Sequence, residues 1–128
     1  MYKQNRTKNN HESITQWFIT KENMQEITSE KEFETAIQCY KIVIADFHAD
    51  WCGPCKVMDP ILQEIEKDWI DKVTFVKVNT DENIEIAREH QIMSIPTFIL
   101  FKDGKKEHVL IGAVPKNKFK IEFEDFLG

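Results

Sequence analysis

Apolar and polar positions alternate in strand-like and helix-like blocks along this 128-residue chain. "MQEI" (24–27) is a short candidate strand. Ser29 followed by Glu32 fits a capping box, and Phe33, Ala36 and Ile37 continue it at helical spacing. "KIVIADF" (41–47) is a nearly continuous apolar run with β-branched residues, the pattern of a central strand covered on both faces. In "CKVMDPILQEIEKDWI" (55–70), Val57, Met58, Ile61, Leu62, Ile65 and Trp69 fall on helical spacing, with a kink expected at Pro60. "KVTFVKVN" (72–79) is the next strand, and Asp81 is placed to cap a helix running through Ala87. "PTFILF" and "KEHVLIG" flank Lys102-Asp103-Gly104-Lys105, where Asp-Gly signals a tight hairpin. Phe119, Phe123, Phe126 and Leu127 mark an amphipathic final helix. The order β-α-β-α-β-α-β-β-α predicts an α/β fold, a mixed central sheet with helices on both faces.

Size and charge narrow the setting. The length suits one domain, and a 41% apolar share suffices for a core. No apolar run approaches the roughly 18 residues of a spanning helix, so no membrane is expected. A formal charge of −5 argues against nucleic acid. That charge is uneven: residues 1–21 carry Lys3, Arg6, Lys8 and Lys21 against Glu12, and the remainder is strongly acidic. This polar, basic head has no apolar periodicity and reads as a disordered extension, with Trp17–Ile19 its one apolar stretch and residues 22–128 the domain. The count of three cysteines is odd and too low for a secreted disulfide framework. A reducing compartment is the expectation, the cytoplasm first, with organellar targeting by the head left open.

"HADWCGPCKVMDP" (48–60) carries the candidate chemistry. One C-x-x-C pair is short of the four ligands a tight metal site needs, and His11, His90 and His108 show no ligand spacing, so no metal is expected. A structural disulfide closing so short a loop would remove little chain entropy. A redox pair accounts for the neighbours better. A strand ending near Phe47, a turn and a helix put Cys52 at the helix N-terminus, where free N–H groups favour a thiolate. Cys55 follows one turn later and is expected to be the more buried sulfur. Pro54 suits an early helical position. Downstream, Pro96 in "MSIPTFIL" reads either as a strand start or as the site of a cis bond.

"WCGPCK", then "SIPT", "FKDGK" and "IGA", in that order and spacing, resemble the thioredoxin family across roughly residues 24–128. The resemblance implies the thioredoxin fold and a cis Ile95–Pro96 bond facing a Cys52–Cys55 redox disulfide. It implies a protein-disulfide reductase with no bound cofactor, drawing electrons from NADPH through a thioredoxin reductase. Cys52 would attack the substrate disulfide and Cys55 would resolve the mixed disulfide. Asp46, a carboxylate in an apolar strand, matches the family's buried acid and would carry the proton; a solvent-facing Asp at a strand end is the plainer alternative. Lys77 matches the lysine beside that acid, or is a solvated strand lysine. Trp51, Gly53, Pro54, Ile95, Pro96 and Gly112 match the rim that receives disulfide-bonded protein substrates. His48 departs from the aromatic residue common at its position; charged, it would favour a Cys52 thiolate, and neutral it is a surface polar residue. Cys39 has no family role. A monomer is expected. A disulfide oxidase or isomerase on the same fold, and a redox-dependent binding module without catalysis, stay open.

Overall fold

The computed structural model describes residues 24–128. The head and its Trp17–Ile19 stretch lie outside them. The elements are β1 (Gln25–Glu26), α1 (Glu30–Cys39), β2 (Ile42–His48), α2 (Gly53–Asp68), β3 (Thr74–Asn79), α3 (Ile84–Glu89), β4 (Thr97–Lys102), β5 (Lys105–Ile111) and α4 (Lys116–Glu124). The strands form one sheet in the order β1-β3-β2-β4-β5. β1 and β2 each run parallel to β3, whereas β4 is antiparallel to β2 and to β5.

Strand β2 is buried almost end to end because a helix pair covers each face of the sheet. On one face Ile42, Ile44, Phe75, Phe98 and Leu100 meet Met58, Leu62 and Ile65 of α2, Trp69 at its C-cap, and Phe119 and Phe123 of α4. On the other, Val43, Ala45, Phe47, Val76 and Ile99 meet Phe33, Ala36 and Ile37 of α1 and Ile86 of α3. Alternate residues along one strand thus serve two separate cores, which is why the run shows no polar face. The predicted α/β architecture is the one found.

Local signals set several boundaries. Ser29 Oγ accepts the Glu32 N–H at 3.1 Å, and Glu32 Oε1 accepts the Thr28 N–H at 2.6 Å, so α1 starts in a capping arrangement. Asp103 and Gly104 both have positive φ, 53° and 83°, the backbone a two-residue hairpin of matching twist requires. Helix α2 continues through Pro60 to Asp68.

Three expectations need correction. Val57 is 61% exposed; one residue off the face of Met58 and Leu62, it looks outward. Asp81 does not cap α3: Asn83 stands at that cap without a side-chain cap bond, and the Asp81 carboxylate is drawn to an indole instead. Helix α4 ends at Glu124, so Phe126 and Leu127 pack against the core from the turn beyond it.

Candidate redox site

Ala49, Asp50 and Trp51 turn the chain from β2 into α2, and Cys52 is the N-cap of that helix. Its extended backbone (φ −87°, ψ 106°) sends the side chain back over the first turn, where Sγ accepts the Cys55 N–H at 3.2 Å. Cys52 and Cys55 are joined by a disulfide, with Cα atoms 5.3 Å apart. Gly53 and Pro54 fill the first turn between them and are exposed. A missing N–H costs nothing at that position, and the preset proline angle favours the turn. The remaining free N–H groups of the turn and the helix dipole favour negative charge on Cys52 once the bond opens.

The expected difference in burial between the sulfurs is absent. Cys52 is 3% exposed and Cys55 5%. Folding Cys52 over the helix end to meet an N–H withdraws it from solvent as fully as its partner. Any asymmetry of role therefore comes from the N-cap position rather than from depth. Cys39 is the free cysteine, half-buried at the end of α1.

The Ile95–Pro96 bond is cis. Ile95 is half-buried and Pro96 buried just before β4. Pro96 O accepts the Gly112 N–H at 2.8 Å, which joins the β4 entrance to the end of β5. Gly112 has φ 98°, and neither there nor at Gly53 would a Cβ meet any atom within 4 Å, so both backbones border open space. Trp51 is 71% exposed, and its Nε1 donates to Asp81 Oδ2 at 2.9 Å. Met93, three residues before Pro96, is 93% exposed.

Asp46 lies on β2 beneath the disulfide-bearing helix and is buried, so the reading of a solvent-facing acid falls away. Its Oδ1 has no hydrogen-bond partner among the described residues. Burial raises its pKa from 3.8 to about 7; Lys77 opposes the rise, and Asp59 and Glu26 add to it. Lys77 is the in-register neighbour of Asp46 on β3, yet its ion pair is with Asp59 Oδ1 at 3.6 Å. His48 is turned toward β1, with Nε2 3.2 Å from Glu26 Oε2. Nothing in the sequence singles out Asp59 or Met93, and its pattern offers Asp81 only as a helix cap. Asp59 shows there only as an acid one helical turn after Cys55. Among the described residues no cluster of three or more His, Cys, Asp or Glu is arranged to hold a metal ion.

The thioredoxin family model matches residues 24–125. A thioredoxin from Mycoplasmoides gallisepticum is 46% identical over 100 residues, covering 76% of this chain and 96% of that one. A chloroplastic M-type thioredoxin from Triticum aestivum is 40% identical over 103 residues, covering 80% of this chain and 59% of that one. The solved structure of Plasmodium falciparum thioredoxin superposes with a TM-score of 0.76 at 37% identity, over 80% of this chain and 99% of that one. Given a disulfide closed at the head of α2 and matches of this extent, the chain belongs to the thioredoxin family of thiol–disulfide oxidoreductases.

Proposed function

We propose that this chain reduces protein disulfides through Cys52 and Cys55 and is returned to the dithiol by a thioredoxin reductase that spends NADPH. The observation that carries the reading is the Cys55 N–H aimed at Cys52 Sγ from the first turn of a 16-residue helix. That donor stabilises a thiolate and hence the attacking form of Cys52.

In the cycle, the Cys52 thiolate bonds to one substrate sulfur and the substrate S–S bond breaks; the departing thiolate takes a proton from solvent. The Cys55 thiol then gives its proton, through water, to the Asp46 carboxylate. The Cys55 thiolate bonds to Cys52 Sγ and the Cys52–substrate bond breaks, releasing a second substrate thiolate that solvent protonates. Two electrons pass to the substrate, and the protein is left as the Cys52–Cys55 disulfide. A carboxyl titrating near neutral pH suits that proton transfer. Trp51, Gly53, Pro54, Ile95, Pro96 and Gly112 receive the substrate, with the open glycine backbones admitting an extended strand. Lys77 adjusts Asp46, and His48 acts on the site through Glu26. No helix among the described residues is long and apolar enough to cross a membrane. We place the chain, as a monomer, in the cytoplasm, on the strength of its few cysteines.

The test is reductase-coupled turnover with NADPH and a disulfide-bonded protein, using reductases of several origins. Sustained NADPH oxidation is expected, with a Cys52–Cys55 potential well below the roughly −120 mV of a strong disulfide oxidant. A potential near that oxidant value would replace the reductase reading with an oxidase. A reducing couple that no reductase turns over would leave a binding module.

A further inference from the structure

Lys77 stands between two carboxylates, and its ammonium goes to the one outside the core. Asp46 and Lys77 face each other in register on parallel strands, so both side chains leave the same face of the sheet. The ammonium nevertheless closes on Asp59 of α2 at 3.6 Å, and Asp46 Oδ1 stays without a hydrogen-bond partner among the described residues. The charged groups around Asp46 come from every neighbouring layer: Lys77 from β3, Asp59 from α2 and Glu26 from β1. Glu26 is in turn bonded to His48 on Asp46's own strand. From β4 the in-register neighbour is Phe98, which brings no charge.

We propose that Asp59 is a positioning residue for the exchange chemistry, acting by holding the Lys77 ammonium off the buried Asp46 carboxyl. This rests on the reading of Asp46 as the proton carrier. A lysine seated on Asp46 would keep the carboxylate ionised and make it a poor acceptor for a thiol proton. With Lys77 held on Asp59, the carboxyl binds a proton more readily, and its affinity moves toward that of the Cys55 thiol. Transfer between closely matched groups is the easier one. The Asp59–Lys77 pair is partly exposed, with side-chain exposures of 43% and 24%, so its influence is damped by solvent but not removed.

The experiment follows the Asp46 carboxyl by carbon-detected NMR across pH in the oxidised full-length chain. Asp59→Asn should lower the titration midpoint by about half a pH unit or more, and Lys77→Met should raise it. Asp59→Ala should shift it the same way as Asp59→Asn, which guards against a new amide hydrogen bond. In the Lys77→Met background, Asp59→Asn should move the midpoint by less than half as much, because the charge it positions is gone. An unchanged midpoint in both Asp59 variants would overturn the proposal. So would a full-sized shift without Lys77, since Asp59 would then act by its own charge alone.

A second arm measures mixed-disulfide resolution against pH by stopped flow. A rate profile that moves with the NMR midpoint supports the proposal in full. A midpoint that moves while the rate profile stays fixed supports the hold on Lys77 and sinks the proton-carrier reading of Asp46.

Discussion

Trp51 Nε1 donates to Asp81 Oδ2 at 2.9 Å, tying the turn before α2 to the loop after β3 beside the disulfide. An exposed ring that would otherwise sample several rotamers is held in one. Asp81→Ala should therefore free the indole without unfolding the domain. Stability should fall by about 1 kcal/mol or less, the usual size of one surface hydrogen bond. KM for a protein disulfide should rise about two- to five-fold with kcat little changed, as the rim loses its preset shape. Trp51 fluorescence anisotropy and steady-state kinetics check both halves.

Removing either sulfur separates the two steps of exchange. Cys52→Ser should reduce turnover to background. Cys55→Ser should retain the attack and accumulate a covalent adduct with substrate, visible by intact mass. In the reduced wild type, alkylation near neutral pH should label Cys52 well ahead of Cys55 and Cys39, because the N-cap favours its thiolate. Faster labelling of Cys55 would reverse the roles.

The Asp46 carboxyl should weaken the fold as pH rises. Its pKa is raised from 3.8 to about 7, so between those values the native state holds a proton that the unfolded chain has lost. Stability must decline through that window and reach its full penalty above it. Asp46→Asn should gain about 1–3 kcal/mol at about pH 8, and the gain should vanish below about pH 4. Urea titrations of both proteins across pH measure the difference. A destabilised Asn variant at alkaline pH would show the carboxylate to be paired in solution.

His90 should do the opposite at the acid end. Its ring lies against Phe33, Phe47 and Phe101, with centroids 5.3, 6.2 and 5.6 Å away, and Nε2 has no hydrogen-bond partner among the described residues. Burial, with Lys106 nearby, holds its pKa below 6.5, outweighing Glu89 and Glu34. The unfolded chain therefore takes up a proton that the native state refuses. The stability involved is fully present above the ordinary histidine pKa and is lost as pH falls below it. His90→Leu should flatten that acid-side loss, read as the change in denaturation midpoint between about pH 7.5 and pH 5.

Much of this was legible in the sequence because it was written locally. The run through β2 declares a strand covered on both faces, the Ser29–Glu32 pair declares a helix start, and Asp103-Gly104 declares a hairpin. Trp-Cys-Gly-Pro-Cys carries its own chemistry in adjacent residues. Pairings across space were not legible. The family resemblance sets Lys77 beside Asp46 and the strand pattern equally allows a solvated lysine, but which of two acids an ammonium joins depends on where α2 lies over the sheet. Asp81 has the composition of a helix cap and serves an indole thirty residues away instead. Equal burial of the two cysteines follows from a backbone angle at Cys52 that spacing does not specify.

Because β2 sits mid-sheet, β3 along one side and β4 along the other, the disulfide hangs from the part of the molecule least able to open. The amides of β2 should exchange with solvent only through openings that approach global unfolding, whereas two-residue β1 and six-residue α3 should fray at small cost. The proposed rim spans both kinds of region: Trp51 is fastened to the loop leading into α3, whereas Gly53 and Pro54 belong to the first turn of the helix that carries the sulfurs. On the proposed function, the Trp51 side of the rim and the reacting sulfurs belong to regions of different opening energy. A substrate that shifts the Trp51 side of the proposed rim would then leave the placement of the reacting sulfurs unchanged.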